Sequence, residues 1–263
     1  MSIFDTLREA LASEAPVALA TVIASEGPVP GVGGKLLVRP DHEPVGTLGD
    51  PDLDRVVARD ALGELAAGTT GVRHYGAQGQ ANEADVAVFV ESFAPPPQLL
   101  IFGAVDFTGA LARVGKVLGY RVTVCDAREV FATTARFPFA DEVVVDWPHR
   151  LLERVGGQLG PRDAVCVLTH DPKFDVPAVL AALRTDVGYL GAMGSRRTTD
   201  DRNRRLRDEG ATDDQLRRIM APIGIDIGAR TPEETAVSIL AEIIATRTGR
   251  TAPSLRDAAG PIH

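Results

Sequence analysis

The sequence predicts an α/β protein in two parts: a C-terminal domain built on a parallel sheet and a smaller α+β domain before it. Three observations carry this expectation. From residue 99 onward, short apolar runs alternate with helical patterns, and near-continuous apolar strands in such alternation mean a parallel sheet covered on both faces. Before residue 94, apolar runs are divided by a Gly/Pro-dense loop and one long helical stretch. Between them stands APPPQ (94–98), whose consecutive prolines cannot join a sheet ladder and favour an extended linker. The expected parts are therefore 1–94 and 95–249, with a polar, flexible tail over 250–263.

In the first part, MSIFDTLREALASEAP reads as a short amphipathic helix; it lacks the basic start and long apolar core of a secretory signal. VALATVIA (17–24), KLLVRP (35–40) and ADVAVFVESF (84–93) have strand composition, and SEGPVPGVGG (25–34) reads as a loop. DPDLDRVVARDALGELAAG (50–68) is predicted helical. Asp50 is its cap, Pro51 suits its first turn and Gly68 ends it; Leu53, Val56, Val57, Leu62 and Leu65 fall near helical spacing.

In the second part, strands are expected at 99–104, 121–127, 142–147, 164–170 and 187–193. Helices are expected over 106–118, 149–156, 174–184 and 196–209, near 212–220 and over 232–247. Ligands of such sheets bind beyond the carboxyl ends of the strands, which here read GAVD, CDAR, THD and AMGSRR.

Composition narrows the function. A formal net charge of −8 argues against a nucleic-acid or anionic-membrane binder, which needs a basic face. No apolar run reaches a membrane span, and a cytoplasmic protein is expected. The two cysteines, Cys125 and Cys166, lie in apolar runs and read as buried thiols of a reducing compartment. The five histidines form no H-E-x-x-H pair and no G-x-S-x-G elbow exists, so neither a metal site nor a catalytic constellation is expected.

LLIFGAVDFTGALARVGKVLGYRVTVCDAR (99–128) has the outline of a dinucleotide-binding βαβ unit. A G-x-G-x-x-G loop begun at Gly103 would need glycines at 105 and 108, where the chain has Val105 and Thr108. Asp126 stands 23 positions after Gly103, the spacing of an acid that takes a ribose hydroxyl; Arg128 beside it suits a phosphate. Asp106, at the start of the following helix, reads as a carboxylate cap standing where a pyrophosphate would lie. At the last turn, Gly194 permits a tight bend, Ser195 caps the next helix, and Arg196 and Arg197 place cations at a helix start, where they oppose the dipole. Those four residues read as an anion site. Thr169 and His170 end a strand and line the expected mouth. In APIGIDIGARTPEE (221–234), Thr231, Pro232 and Glu234 form a capping box, and Pro222 and Gly224 are further candidate ligand contacts.

FGA, RVTVCDAR with RFPFADEVVV, VLTHDPKFD, YLGAMGSRRT and APIGIDIGARTPEETAVSILAEIIATRTG resemble the xanthine dehydrogenase accessory family (XdhC/CoxI). VIASEGPVPGVGGKLLV followed by VGTLGDPDLD resembles that family's N-terminal domain more loosely. The resemblance implies a Rossmann-like C-terminal domain and a maturation factor that binds molybdenum cofactor, as molybdopterin or its dinucleotide. It further implies help with sulfuration beside a cysteine desulfurase, delivery to a molybdenum hydroxylase apo-enzyme, and no turnover of its own. The chain departs from the family in its N-terminal cysteines: GTLGDPDLD (46–54) and GQANEAD (79–85) carry none. The residues also leave open an NAD(P)-dependent oxidoreductase and a non-catalytic nucleotide-binding subunit. Assembly as a homodimer fits an accessory factor.

Overall fold

The computed structural model describes residues 2–27, 31–80 and 83–257 and divides the chain into two compact units, Met1–Pro95 and Pro96–His263. The expectation of a frayed terminus over 250–263 falls partly outside the described residues; within them, Leu255–Asp257 forms a 3-10 turn.

The first unit is a five-stranded antiparallel sheet with a helix on each face. The helix α1 (Ile3–Ala12) is capped by Ser2, whose side chain accepts from the Asp5 amide. Strands β1 (Val17–Ser25), β2 (Lys35–Val38), β3 (Val45–Thr47), β4 (Gly71–Tyr75) and β5 (Val86–Phe93) assemble in the order β3-β2-β1-β5-β4. The helix α2 (Pro51–Ala67) starts where Asp50 accepts from the amides of Asp52 and Leu53, and it stops at left-handed Gly68. Because α2 covers one face and α1 the other, β1 is buried at four successive positions instead of alternating. Strands β3 and β4 were not expected. The first has three residues, and the second is an edge strand whose Val72, Arg73 and His74 are exposed, so neither writes an apolar pattern.

The second unit is a six-stranded parallel sheet. Its strands are β6 (Gln98–Phe102), β7 (Arg121–Cys125), β8 (Glu142–Val144), β9 (Ala164–Val167), β10 (Tyr189–Ala192) and β11 (Ile219–Met220). Numbered within this sheet, β8-β7-β6-β9-β10-β11 is the order 3-2-1-4-5-6 of doubly wound nucleotide-binding folds. Its helices are α3 (Asp106–Val117), α4 (Pro148–Val155), α5 (Pro172–Leu183), α6 (Arg196–Asp208), α7 (Asp213–Arg217) and α8 (Pro232–Thr248). On one face α3 and α8 bury Leu111, Ile239 and Ile243 against Leu99, Ile101 and Val122; on the other, α4, α5 and α6 bury Leu152, Val179 and Leu206 against Leu100, Phe102 and Val165. Each such side chain contributes roughly 1.5–3 kcal/mol of transfer free energy. The helix expected near 212–220 ends earlier: α7 gives way to β11, which pairs Ile219 with Leu190 and Met220 with Gly191. A two-residue strand is too short to carry a period.

Candidate functional site

Sheet order reverses between β6 and β9, so the connections after these strands part and leave a crevice at their carboxyl ends. A cleft of about 520 Å³ lies there, lined by Val105, Arg128, Thr169, His170, Asp171, Pro172 and Phe174. Phe174 forms one apolar wall and is backed by Trp147, their ring centroids 4.8 Å apart.

The loop after β6 is closed by its own hydrogen bonds. Gly103 has φ of +112° and runs so close to β9's end that a Cβ there would lie 2.7 Å from Thr169 Cγ2; only glycine fits. The Ala104 amide donates to Asp126 Oδ2 (2.7 Å), and the Val105 amide donates to Thr108 Oγ1 (3.3 Å). Thr108 Oγ1 in turn donates to the Gly103 carbonyl (2.5 Å). Thr108, standing where the dinucleotide fingerprint has its third glycine, thus ties the turn together. Val105, not Asp106, is the N-cap of α3; Asp106 is the first helical residue and is exposed. The expected carboxylate cap is therefore corrected. Val105 presents an aliphatic side chain to the cleft, and Asp106 does not line it.

Asp126 follows directly on the end of β7, and it is 3% exposed. Both of its oxygens are engaged. Oδ1 accepts from the Arg128 amide and Nε (both 2.9 Å), and Oδ2 accepts from Arg128 Nη2 and the Ala104 amide (both 2.7 Å). Burial alone would raise its pKa, but the Arg128 guanidinium and the two amides outweigh burial and hold it below the ordinary value of 3.8. The acid fixes Arg128 at the cleft and pins the loop after β6, leaving no oxygen free of a donor for a ribose hydroxyl. Arg128 also lies 4.7 Å over the Phe131 ring.

A buried polar chain joins the next strand ends. The Thr169 hydroxyl donates to Asp175 Oδ1, and Asp175 Oδ2 accepts from Arg202 Nη2 at 3.2 Å. Arg202 Nη2 also donates to the Met193 carbonyl at 2.5 Å. Asp175 and Arg202 are 3% and 4% exposed. Burial raises the pKa of Asp175 against the lowering effect of Thr169 and Arg202. Sequence reasoning missed both residues. The signal was there: Thr199, Arg202 and Leu206 make a stripe on α6 at helical spacing, and a charge inside a buried stripe needs a buried partner.

The turn after β10 is built as expected. Ser195 caps α6, its hydroxyl accepting from the Thr198 amide at 3.2 Å. Arg196 and Arg197 are exposed, and among the described residues neither makes a side-chain hydrogen bond or ion pair. A Cβ on Gly194, whose φ is +148°, would lie 3.5 Å from Arg202 Nη2, so the buried guanidinium sits directly beneath this turn.

The structure thus brings Arg128, Thr169 and His170 to one cleft and sets Gly194, Ser195, Arg196 and Arg197 at the adjacent helix start. Pro222 and Gly224 do not line the cleft; between them the Ile223 amide donates to the Ala192 carbonyl at the end of β10 (3.2 Å). The Gly224 amide donates to Glu242 Oε2 (2.8 Å), which also accepts from Tyr189 Oη (2.6 Å), and the segment packs on α8. Cys125 donates its thiol to the Asp146 carbonyl at 3.2 Å; burial pushes its pKa up to about 12 and raises that of Cys166. Among the described residues, no three His, Cys, Asp or Glu side chains converge as metal ligands.

Comparison with known proteins agrees with this architecture. A model of the XdhC Rossmann domain matches residues 99–243, and a model of the XdhC and CoxI family matches residues 10–76. The chain belongs to the XdhC and CoxI family. Within the curated proteins it is 27% identical over 252 residues to the uncharacterized protein YqeB of Escherichia coli, covering 93% of this chain and 46% of that one. It is 33% identical over 160 residues to a probable xanthine dehydrogenase subunit of Bacillus subtilis, covering 61% and 46% of the two chains. With the molybdenum cofactor insertion chaperone PaoD of Escherichia coli it shares 29% identity over 159 residues, covering 60% and 43%. The chain spans somewhat under half the length of these relatives. A crystal structure of a xanthine dehydrogenase from Bacillus halodurans superposes with a TM-score of 0.55 at 22% identity, covering 97% of this chain and 98% of that one; at that identity it shows the fold.

Proposed function

We propose that the chain is a maturation factor for a molybdenum hydroxylase, holding the molybdenum cofactor by its organic part and passing it to the apo-enzyme. Family membership and the likeness to a cofactor insertion chaperone support the role. The observation that carries it is the cleft at the switch point, apolar at Val105 and Phe174 and edged by Arg128 in its ion pair with Asp126, with Arg196 and Arg197 unpaired among the described residues at the start of α6. The pterin lies against Phe174 and Val105. Its phosphate reaches the α6 start, where amides and arginines meet an anion. Thr169 and His170 offer polar contacts at the mouth.

The residues fit the organic part better than the metal. A molybdenum–sulfur centre favours thiolate ligands, and both thiols here are buried with raised pKa. A persulfide relay through Cys125 is therefore not proposed; sulfuration falls to a partner cysteine desulfurase acting on cofactor held in the cleft. NAD(P) fits poorly, because Asp126 is engaged by Arg128 and the loop after β6 is closed. The test is a pull-down from cells expressing a candidate apo-hydroxylase, with pterin and molybdenum analysis of the captured material. Both should accompany wild-type protein; recovery of the enzyme with neither, from cells that make the cofactor, would refute the cofactor-carrying role.

A further inference from the structure

A second, smaller cavity of about 190 Å³ lies between α5 and α6 and shares His170 and Pro172 with the cleft. Its wall carries Thr198, Arg202 and Arg205, together with Asp175 and Asp201. Two features of this region are not explained by packing. First, Arg202 is 4% exposed, yet its Nε and Nη1 are buried with no hydrogen-bond partner among the described residues. Second, Thr199 Oγ1, one turn earlier on α6 and outside the cavity wall, is also buried without a partner among the described residues. All three atoms can donate, and buried donors without acceptors are costly.

The charges around the cavity favour an acceptor. Asp201 is ion-paired with Arg204, and Asp175 is bound by Arg202 Nη2 and the Thr169 hydroxyl. Both carboxylates are thus compensated, while Arg205 makes no ion pair among the described residues. The start of α6, with its Gly194 turn above Arg202, adds the positive end of a helix dipole. With Nη2 committed to Asp175 and the Met193 carbonyl, Arg202 has Nε and Nη1 left to offer, one on either side of the guanidinium plane's Nη2 edge.

We infer that this cavity is a subsite for a tetrahedral oxyanion, held by Arg202 and Arg205 and bounded by Thr198 and His170. The inference rests on the reading of the neighbouring cleft as the pterin site only for its biological ligand. In that setting the oxyanion is the terminal phosphate of the bound molecule, while Arg196 and Arg197 at the outer rim guide it inward. A free oxyanion has the same chemistry and would occupy the same place.

The experiment is titration of the full chain with inorganic phosphate and, separately, with methyl phosphate, followed by calorimetry and by 31P line broadening. Saturable binding of either probe is expected. Arg205→Gln, at an exposed position, should weaken it about five-fold without changing the phosphate-free Tm. Arg202→Lys keeps the charge beside Asp175 but removes the Nε and Nη1 donors, and should weaken it at least about ten-fold. Arg196→Gln with Arg197→Gln should cost less than either, and the cost should vanish at high salt. Preference for methyl phosphate would identify a phosphomonoester as the occupant, and preference for inorganic phosphate a free oxyanion; both support the subsite. No saturable binding of either probe would overturn it. Binding that survives Arg205→Gln and Arg202→Lys but falls with the Arg196/Arg197 pair would also overturn it, while leaving the rim and the proposed function intact. Should Arg202→Lys fail to fold, Arg205→Gln still decides. Phosphate binding as expected, with no pterin bound, would refute the proposed function and leave the subsite standing.

Discussion

The loop after β6 and the turn after β10 occupy equivalent places in the sheet, each leading from a strand's carboxyl end into a helix, yet they handle their donors in opposite ways. After β6, the Ala104 amide goes to Asp126 and the Val105 amide to Thr108, and the N-cap offers no side-chain acceptor. After β10, Ser195 takes one amide, and among the described residues two arginines stand unpaired at the helix start and a buried guanidinium beneath holds donors without partners. The same βα unit can therefore be closed on itself or held open for an anion. Which it becomes depends on whether a nearby side chain accepts the loop's donors. In nucleotide-binding folds the first loop is the phosphate site; on the proposed reading that task passes to the fifth strand's turn.

The comparison breaks most severely at the chain linking the two regions. Asp175→Ala strands Arg202 as an unpaired buried charge and should cost about 3–5 kcal/mol in urea unfolding. Replacing both partners, Asp175→Leu with Arg202→Met, should cost clearly less than the single change; a double variant worse than the single would mean that the pair is not a unit. Next, Gly103→Ala forces a side chain onto left-handed backbone and into Thr169, and should lower stability by about 2–3 kcal/mol by the same measurement. Asp126→Ala frees the Ala104 amide and Arg128, at about 2 kcal/mol. Its cost has a pH signature. A carboxylate whose folded pKa is depressed stabilises fully above its unfolded value near 3.8 and loses that contribution as pH falls through the lower folded value. The gap between wild type and Asp126→Ala should thus be constant at neutral pH and narrow only in the acid range below 3.8. A gap that narrowed at neutral pH instead would place the lost interaction elsewhere.

Two smaller effects sharpen the contrast. Arg196→Gln with Arg197→Gln should leave stability within about 0.5 kcal/mol, because neither side chain is buried or, among the described residues, paired. Cys125 should resist thiol reagents in the native protein and react only on unfolding; burial removes it from solvent and disfavours its thiolate. Rapid native labelling would reopen a sulfur-carrying role.

Much of this contrast was legible in the residues. The α/β plan, the helix caps at Asp50, Ser195 and Thr231, and the arginines at the α6 start follow from patterns that local chemistry dictates. What escaped reading is long-range or short in chain. Strands β3 and β11 have three and two residues, too few for a period. Asp106 resembles a cap in sequence, but the position of Val105 after the φ of Gly103 puts the acid one residue inside the helix. Asp126 carried the spacing of a ribose ligand, and nothing in the chain announced that Arg128, two residues on, would close over it. The Asp175–Arg202 pair joins positions 27 apart; the helical stripe hints at one partner without naming the other.

The direct test of the account is the affinity of the full chain for a phosphate-bearing pterin, read by quenching of pterin fluorescence, in three proteins. Arg196→Gln with Arg197→Gln should weaken binding about four-fold relative to wild type at low salt, the loss of cationic attraction at the rim of the phosphate site. Asp106→Asn, which changes charge at the start of α3, should leave it within about two-fold. An affinity that ignores the arginine pair and rises sharply with Asp106→Asn would place the phosphate at the loop after β6 and contradict the account.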